Sequence, residues 1–147
     1  MTQKHPKKSF QTHSHIMSVK TVNVAIVGTG VVGSSFLNQL INLKSAYVKY
    51  NLVAVLNTKT HLISNDYSAL PLKADTWAQY VKEHSSQSPL SPKELVEYLK
   101  KSSSPSILVD NTSNETWAYS YPEFVDNGIS IATPNKKAFP SDWKLWN

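Results

Sequence analysis

From Val22 to Val27 the chain is apolar at nearly every position, and from Val31 onward apolar residues recur at helical spacing. The first run reads as a buried strand, the second as a helix over Val31–Lys44 that lays one face on a sheet. That face is expected to hold Val32, Phe36, Leu37, Leu40 and Ile41. Asn51–Leu56 (NLVAVL) is a second run rich in β-formers, the expected parallel partner, and it completes a βαβ unit. Residues 57–74 are polar and show no period, so an irregular excursion is expected there.

Further along, Asp75 is positioned to cap a short helix through His84, with Trp77, Tyr80 and Val81 turned inward. Ser91-Pro92-Lys93-Glu94 is a capping box with proline at the first helical position, predicting a helix to about Lys101 that buries Leu95, Val96 and Leu99. Ser106–Asp110 (SILVD) reads as a strand and Glu115–Val125 as a helix that Pro122 interrupts. Asn127-Gly128 is a natural left-handed stop, and Ile129–Thr133 (ISIAT), closed by Pro134, is a further strand. Strands alternating with helices, without an internal repeat, predict an α/β fold with a doubly wound parallel sheet.

The junction of the first strand and helix reads Gly28-x-Gly30-x-x-Gly33. Each glycine has its own task in a Rossmann-type fold: the tight turn, the close approach of backbone to a pyrophosphate, and close helix–sheet packing. The helix N-terminus adds free N–H groups and a partial positive charge. Ligands of such sheets lie beyond the carboxyl ends of the strands, an edge reached here by Gly28–Gly33, Asn57–Thr60, Asp110–Ser113 and Thr133–Lys137.

Composition narrows the function. With 147 residues the chain is about one domain long, and 40% hydrophobic content supports one core. No apolar run approaches the ~20 residues of a membrane span. Cysteine is absent, which excludes disulfides and thiol nucleophiles and suits a reducing, cytoplasmic location. The net charge of +5 does not point to nucleic acid. Residues 1–16 hold three lysines and no acid, the remainder is nearly balanced, and arginine, the bidentate reader of phosphate and guanine, is missing altogether. That first segment, with His5, His13 and His15, reads as a disordered basic extension without metal, and Met17 as an alternative start.

NAD-specific folds of this kind usually end the second strand with an acid that binds the ribose 2′-hydroxyl. Here the stretch is Asn57-Thr58-Lys59-Thr60-His61. With no carboxylate, and with Lys59 and His61 at hand for a phosphate, NADP is expected to be accepted at least as well as NAD.

Taken with VDNTS and NGISIATPNKKAF, the glycine motif makes the chain resemble the nucleotide-binding half of homoserine dehydrogenase of the fungal type, from about Met17 onward. The resemblance implies interconversion of aspartate semialdehyde and homoserine with NADP or NAD, on the route to threonine and methionine. It implies that Gly28, Gly30, Val31, Val32 and Gly33 form the pyrophosphate loop. Thr112 and Ser113 would lie near the cofactor ribose and nicotinamide, and Lys136 beside nicotinamide and substrate. The expected domains are the extension 1–16 and a dinucleotide-binding domain 17–147, truncated before the family's substrate and dimerisation domain. The acid–base groups belong to that second domain, so no catalytic residue is assigned here. A small-molecule substrate is expected only with that domain present. The family is homodimeric, whereas this portion is expected to be monomeric, and a non-catalytic NAD(P)-binding module is the alternative. Trp143, Leu145 and Trp146, on a helix starting near Ser141, are apolar groups expected either to meet a packing partner or to fold back onto this domain.

Overall fold

Strand β1 (Lys20–Val27) occupies the centre of a five-stranded sheet, with β2 (Val48–Leu56) on one side and β4 (Ser106–Asp110) on the other, both parallel to it. β5 (Ser130–Ala132) continues in parallel beyond β4, and β3 (His61–Ile63) runs antiparallel along the outer edge of β2. The computed structural model describes residues 19–136. The expected extension over 1–16, the start at Met17, Lys137 and the final helix with Trp143, Leu145 and Trp146 lie outside the described residues.

Helices cover both faces. On one, α1 (Val31–Asn42) sets Leu37 over Val24, Ile26, Leu52 and Val55, and α2 (Trp77–His84) adds Trp77 and Val81 at the margin. Trp77 Nε1 donates to Asn38 Oδ1 at 2.8 Å, tying α2 to α1. On the other face, α3 (Pro92–Lys100), α4 (Glu115–Tyr119) and α5 (Tyr121–Asp126) bury Leu95, Leu99, Trp117, Tyr121 and Phe124 against Ala25, Val53 and Leu108. The sheet is therefore doubly wound, as expected, with one antiparallel strand added.

Local chemistry explains the boundaries. The capping box forms in full: Glu94 N donates to Ser91 Oγ at 3.1 Å and Ser91 N to Glu94 Oε1 at 3.2 Å. The expected 115–125 helix breaks at Ser120, with Pro122 in the first turn of the second piece, because a proline ring clashes with the carbonyl four residues before it. Gly128 takes φ +77°, the left-handed stop. A register shift at Val24/Ala25 lets adjacent Val53 and Ala54 both join the core on the α3 face.

Three expectations change. Residues 61–63, read as irregular, form β3, because Asn57 Oδ1 accepts the Lys59 and Thr60 amides, each at 2.8 Å, and folds the chain back along β2. Asp75 does not cap α2, whose N-cap is Thr76 with no side-chain bond. Val32 is 57% exposed rather than part of the buried stripe, since the first turn of α1 stands at the sheet's edge.

Candidate functional site

The chain runs from β1 to its neighbour β2 and then returns to the far side of β1 as β4, so the order reverses between β1 and β4. At the carboxyl ends of these two strands the loops lock together. Gly28 N donates to Leu56 O and Asn111 N to Val27 O, both at 2.8 Å. Gly28 has φ +93°, and a Cβ there would come within 3.0 Å of the Asn111 carbonyl carbon and of Thr112 Cγ2. The turn thus needs glycine for its dihedral and for the approach of the β4 loop. Gly33 packs more tightly still, with the Gly28 carbonyl oxygen 2.0 Å from where its Cβ would be. Gly30 is the contrast, since nothing lies within 4 Å of a Cβ there. Among the described residues no packing demands glycine at this position, whereas a ligand approaching the backbone would.

The start of α1 is built for an anion. Gly30 is its N-cap, no side chain caps it, and its first turn has no acid, so the leading N–H groups and the positive end of the dipole face outward. Val31 is 88% exposed, an apolar surface at the lip of the same edge. Buried Asn111 Nδ2, beside Gly33, has no hydrogen-bond partner among the described residues. Open space over Gly30, an uncapped helix start and an unpartnered amide fit a dinucleotide laid across the switch point.

Asp110 organises the β4–β5 side of this edge, and the sequence reading missed it. The residue is fully buried at the end of β4. Its Oδ1 accepts Thr112 N at 2.8 Å and Thr112 Oγ1 at 2.6 Å. Its Oδ2 accepts Tyr121 OH at 2.5 Å and Asn135 Nδ2 at 3.1 Å. Its carbonyl accepts Thr133 Oγ1 at 2.6 Å. One carboxylate therefore joins the loops after β4 and β5, which carry VDNTS and TPNK. Burial, and then the bond to Asp110, push the Tyr121 phenol above its ordinary range. The available signal was an acid closing an otherwise apolar strand, since a charge there needs partners.

Around this hub the expected residues take distinct places. The Thr112 hydroxyl is engaged inward by Asp110, while its methyl faces Gly28. Ser113 and Lys136 are exposed, and Lys136 follows buried Asn135 directly. Lys59 is exposed on the turn made by Asn57. His61 is drawn elsewhere: its backbone bridges to Ser86, and its Nδ1 lies 2.7 Å from Ser88 O.

On the β2 side a cleft of about 450 Å³ is bounded by Thr29 and Ser34 of the glycine loop, Asn57 and Thr60 of the β2 turn, and α2. A cavity of similar size, about 480 Å³, lies at the opposite edge near Val19, Val48 and Lys49. It has no part of the glycine loop, so the carboxyl-edge cleft is the one that belongs to the site. Among the described residues no group of His, Cys, Asp or Glu is arranged to hold a metal ion, and no helix is long and apolar enough to cross a membrane.

Sheet order, glycine turn and anion-ready helix define a Rossmann-type dinucleotide-binding domain. The profile of the family described as homoserine dehydrogenase, NAD binding domain, matches residues 28–147, and the chain belongs to that family. It is 50% identical over 130 residues to homoserine dehydrogenase of Saccharomyces cerevisiae, covering 88% of this chain and 35% of that enzyme. The Schizosaccharomyces pombe enzyme is 42% identical over 123 residues, covering 80% of this chain and 32% of that enzyme. A solved Candida auris protein of unknown function matches with TM-score 0.76 and 49% identity, over 87% of this chain and 34% of that one. Homoserine dehydrogenase of Thermoplasma acidophilum shares the fold, with TM-score 0.56 and 20% identity, over 86% of this chain and 39% of that one. The chain spans about a third of the length of these fungal relatives. Its part in the family is to bind a nicotinamide dinucleotide.

Proposed function

We propose that this chain is the cofactor-binding part of an NAD(P)-dependent homoserine dehydrogenase, which interconverts aspartate semialdehyde and homoserine on the route to threonine and methionine. The carrying observation is the switch point itself: an uncapped, acid-free start of α1 beside Gly30, whose added Cβ would meet nothing. In this reading residues 17–147 form the dinucleotide domain. Gly28, Gly30, Val31, Val32 and Gly33 cradle the pyrophosphate, Thr112 and Ser113 lie by the ribose and nicotinamide, and Lys136 stands where an ammonium stabilises anionic groups near hydride transfer. When bound, the reduced nicotinamide would give a hydride to the semialdehyde, and the oxidised ring would take one from homoserine. Substrate, acid–base groups and homodimer contacts belong to the remaining length typical of the relatives.

We further propose that NADP(H) is accepted at least as well as NAD(H). The supporting observation is Asn57, which directly follows β2 where an NAD-specific fold carries an acid; it is neutral, and its Oδ1 is held by two amides of its own turn. Exposed Lys59 adds positive charge beside it. Titrating the full chain with NADH and NADPH at matched ionic strength, by quenching of tryptophan fluorescence, tests both statements. NADPH binding equal to or tighter than NADH is expected. Much tighter NADH would overturn the preference, and binding of neither at millimolar concentration would overturn the assignment.

A further inference from the structure

We infer that Lys82, on α2, is the specificity-determining cation for the 2′-phosphate of NADP. The inference rests on the proposed dinucleotide site and deepens it. Lys59, singled out by sequence position, is on the turn after β2 but is not among the residues that line the β2-side cleft, whereas Lys82 is. Across the cleft from α2 stand Thr29 of the glycine loop and Asn57 and Thr60 of the β2 turn. These are the elements between which the adenosine ribose of a dinucleotide must pass once its pyrophosphate rests on α1.

The surroundings leave the ammonium available. Among the described residues, no Asp or Glu lines the cleft. The neighbouring acid on α2, Glu83, accepts Gln79 Nε2 at 2.6 Å, and the ion pair found among the described residues, Lys100–Glu97, is on α3. Ser85, the C-cap of α2, also lines the cleft, and its buried Oγ has no hydrogen-bond partner among the described residues. An exposed lysine and an unpartnered hydroxyl on one wall, with a neutral amide opposite, form a set that attracts a phosphate dianion and gains nothing from a bare 2′-hydroxyl. Trp77 and Val81, on the same wall, offer apolar surface for the rest of the adenosine. Since Trp77 is bonded to Asn38 of α1, the wall that carries Lys82 is held to the helix that starts at the pyrophosphate loop.

Lys82 also lies in the last turn of α2, where any cation offsets the negative end of the helix dipole. That role would change stability, and affinity for both dinucleotides alike; it would leave their ratio unmoved. The test is therefore the NADPH-to-NADH affinity ratio of the full chain and of Lys82→Gln and Lys82→Glu, with thermal melting as the folding control. Loss of one charge-assisted phosphate contact predicts about tenfold weaker NADPH binding for Lys82→Gln, with NADH within about twofold. Lys82→Glu should lose more, and Lys59→Gln less than either. An unchanged ratio in both Lys82 variants, with the parent chain binding both dinucleotides, overturns the inference and leaves the dinucleotide site standing. A parent chain that binds neither overturns both.

Discussion

Gly33 lies so close to Gly28 that a methyl group on it would sit 2.0 Å from the Gly28 carbonyl oxygen. The obstacle is backbone, which cannot swing aside as a flexible side chain does, so the helix must move off the sheet. Gly33→Ala is expected to destabilise the domain by about 2–3 kcal/mol, in the range of overpacked cores, and to displace the helix start. Gly30→Ala, with open space around its Cβ, should keep stability within about 1 kcal/mol yet weaken dinucleotide binding. Urea unfolding and dinucleotide titration of the two variants separate packing from ligand approach. Equal stability loss in both would contradict the division of labour.

Asp110 supports two loops from one buried position. Asp110→Ala removes the acceptor from Thr112, Tyr121 and Asn135 together and is expected to cost about 3 kcal/mol or more, since one buried carboxylate takes a hydrogen bond from all three. Tyr121→Phe removes the phenol's bonds to Asp110 and Thr133 and should cost about 1–2 kcal/mol. The two losses should not add in the double variant, because both act through the same contact. A chemical denaturation cycle measures this, and strict additivity would count against a shared network.

Alkaline pH should unfold the protein through Tyr98 and Tyr121. Burial raises both phenols above the ordinary value of 10.0, with neighbouring Tyr67 adding to Tyr98 and the Asp110 bond adding to Tyr121. Both folded-state phenols keep their protons above pH 10, whereas the unfolded chain releases them. Stability is thus fully present below that pH and falls as it rises, by up to about 1.4 kcal/mol per pH unit for each group. Melting temperatures from pH 8 to 11 should show the decline, shallower in Tyr121→Phe. A flat profile would contradict it.

The chain by itself should bind dinucleotide without turning over homoserine. Hydride transfer needs the reacting carbon held roughly 3–3.5 Å from the nicotinamide carbon, and orientation of that kind supplies much of the rate. A coupled assay at saturating homoserine and NADP should read background. Turnover near the ordinary enzyme median of about 10 s⁻¹ would show that the domain supplies more of the chemistry than its described residues suggest.

Much of this arrangement was legible from local pattern. The glycine spacing, the Ser91–Glu94 box and the apolar strands ending at Val27, Leu56 and Asp110 depend on neighbours a few residues apart, and dihedral preference or side-chain reach settles them within one turn. Other features escaped for a physical reason. β3 is three residues long, too short to show a period, and it exists because Asn57 reverses the chain against β2. Val32 fits the helical stripe by spacing, yet its place depends on where the sheet ends.

The sequence by itself determined that a strand, a glycine turn and an anion-accepting helix stand in that order, and which strand ends form one edge. Tertiary structure alone decided which side chains meet there. Asp110, Tyr121 and Asn135 converge from positions 11 and 25 residues apart, and a burial-driven network of this kind has no sequence period. Likewise Lys82 rather than His61 lines the cleft beyond β2, because α2 docks on α1 through Trp77 while His61 is held at Ser86 and Ser88. Spacing governs what one element presents, whereas packing between elements governs what a ligand encounters.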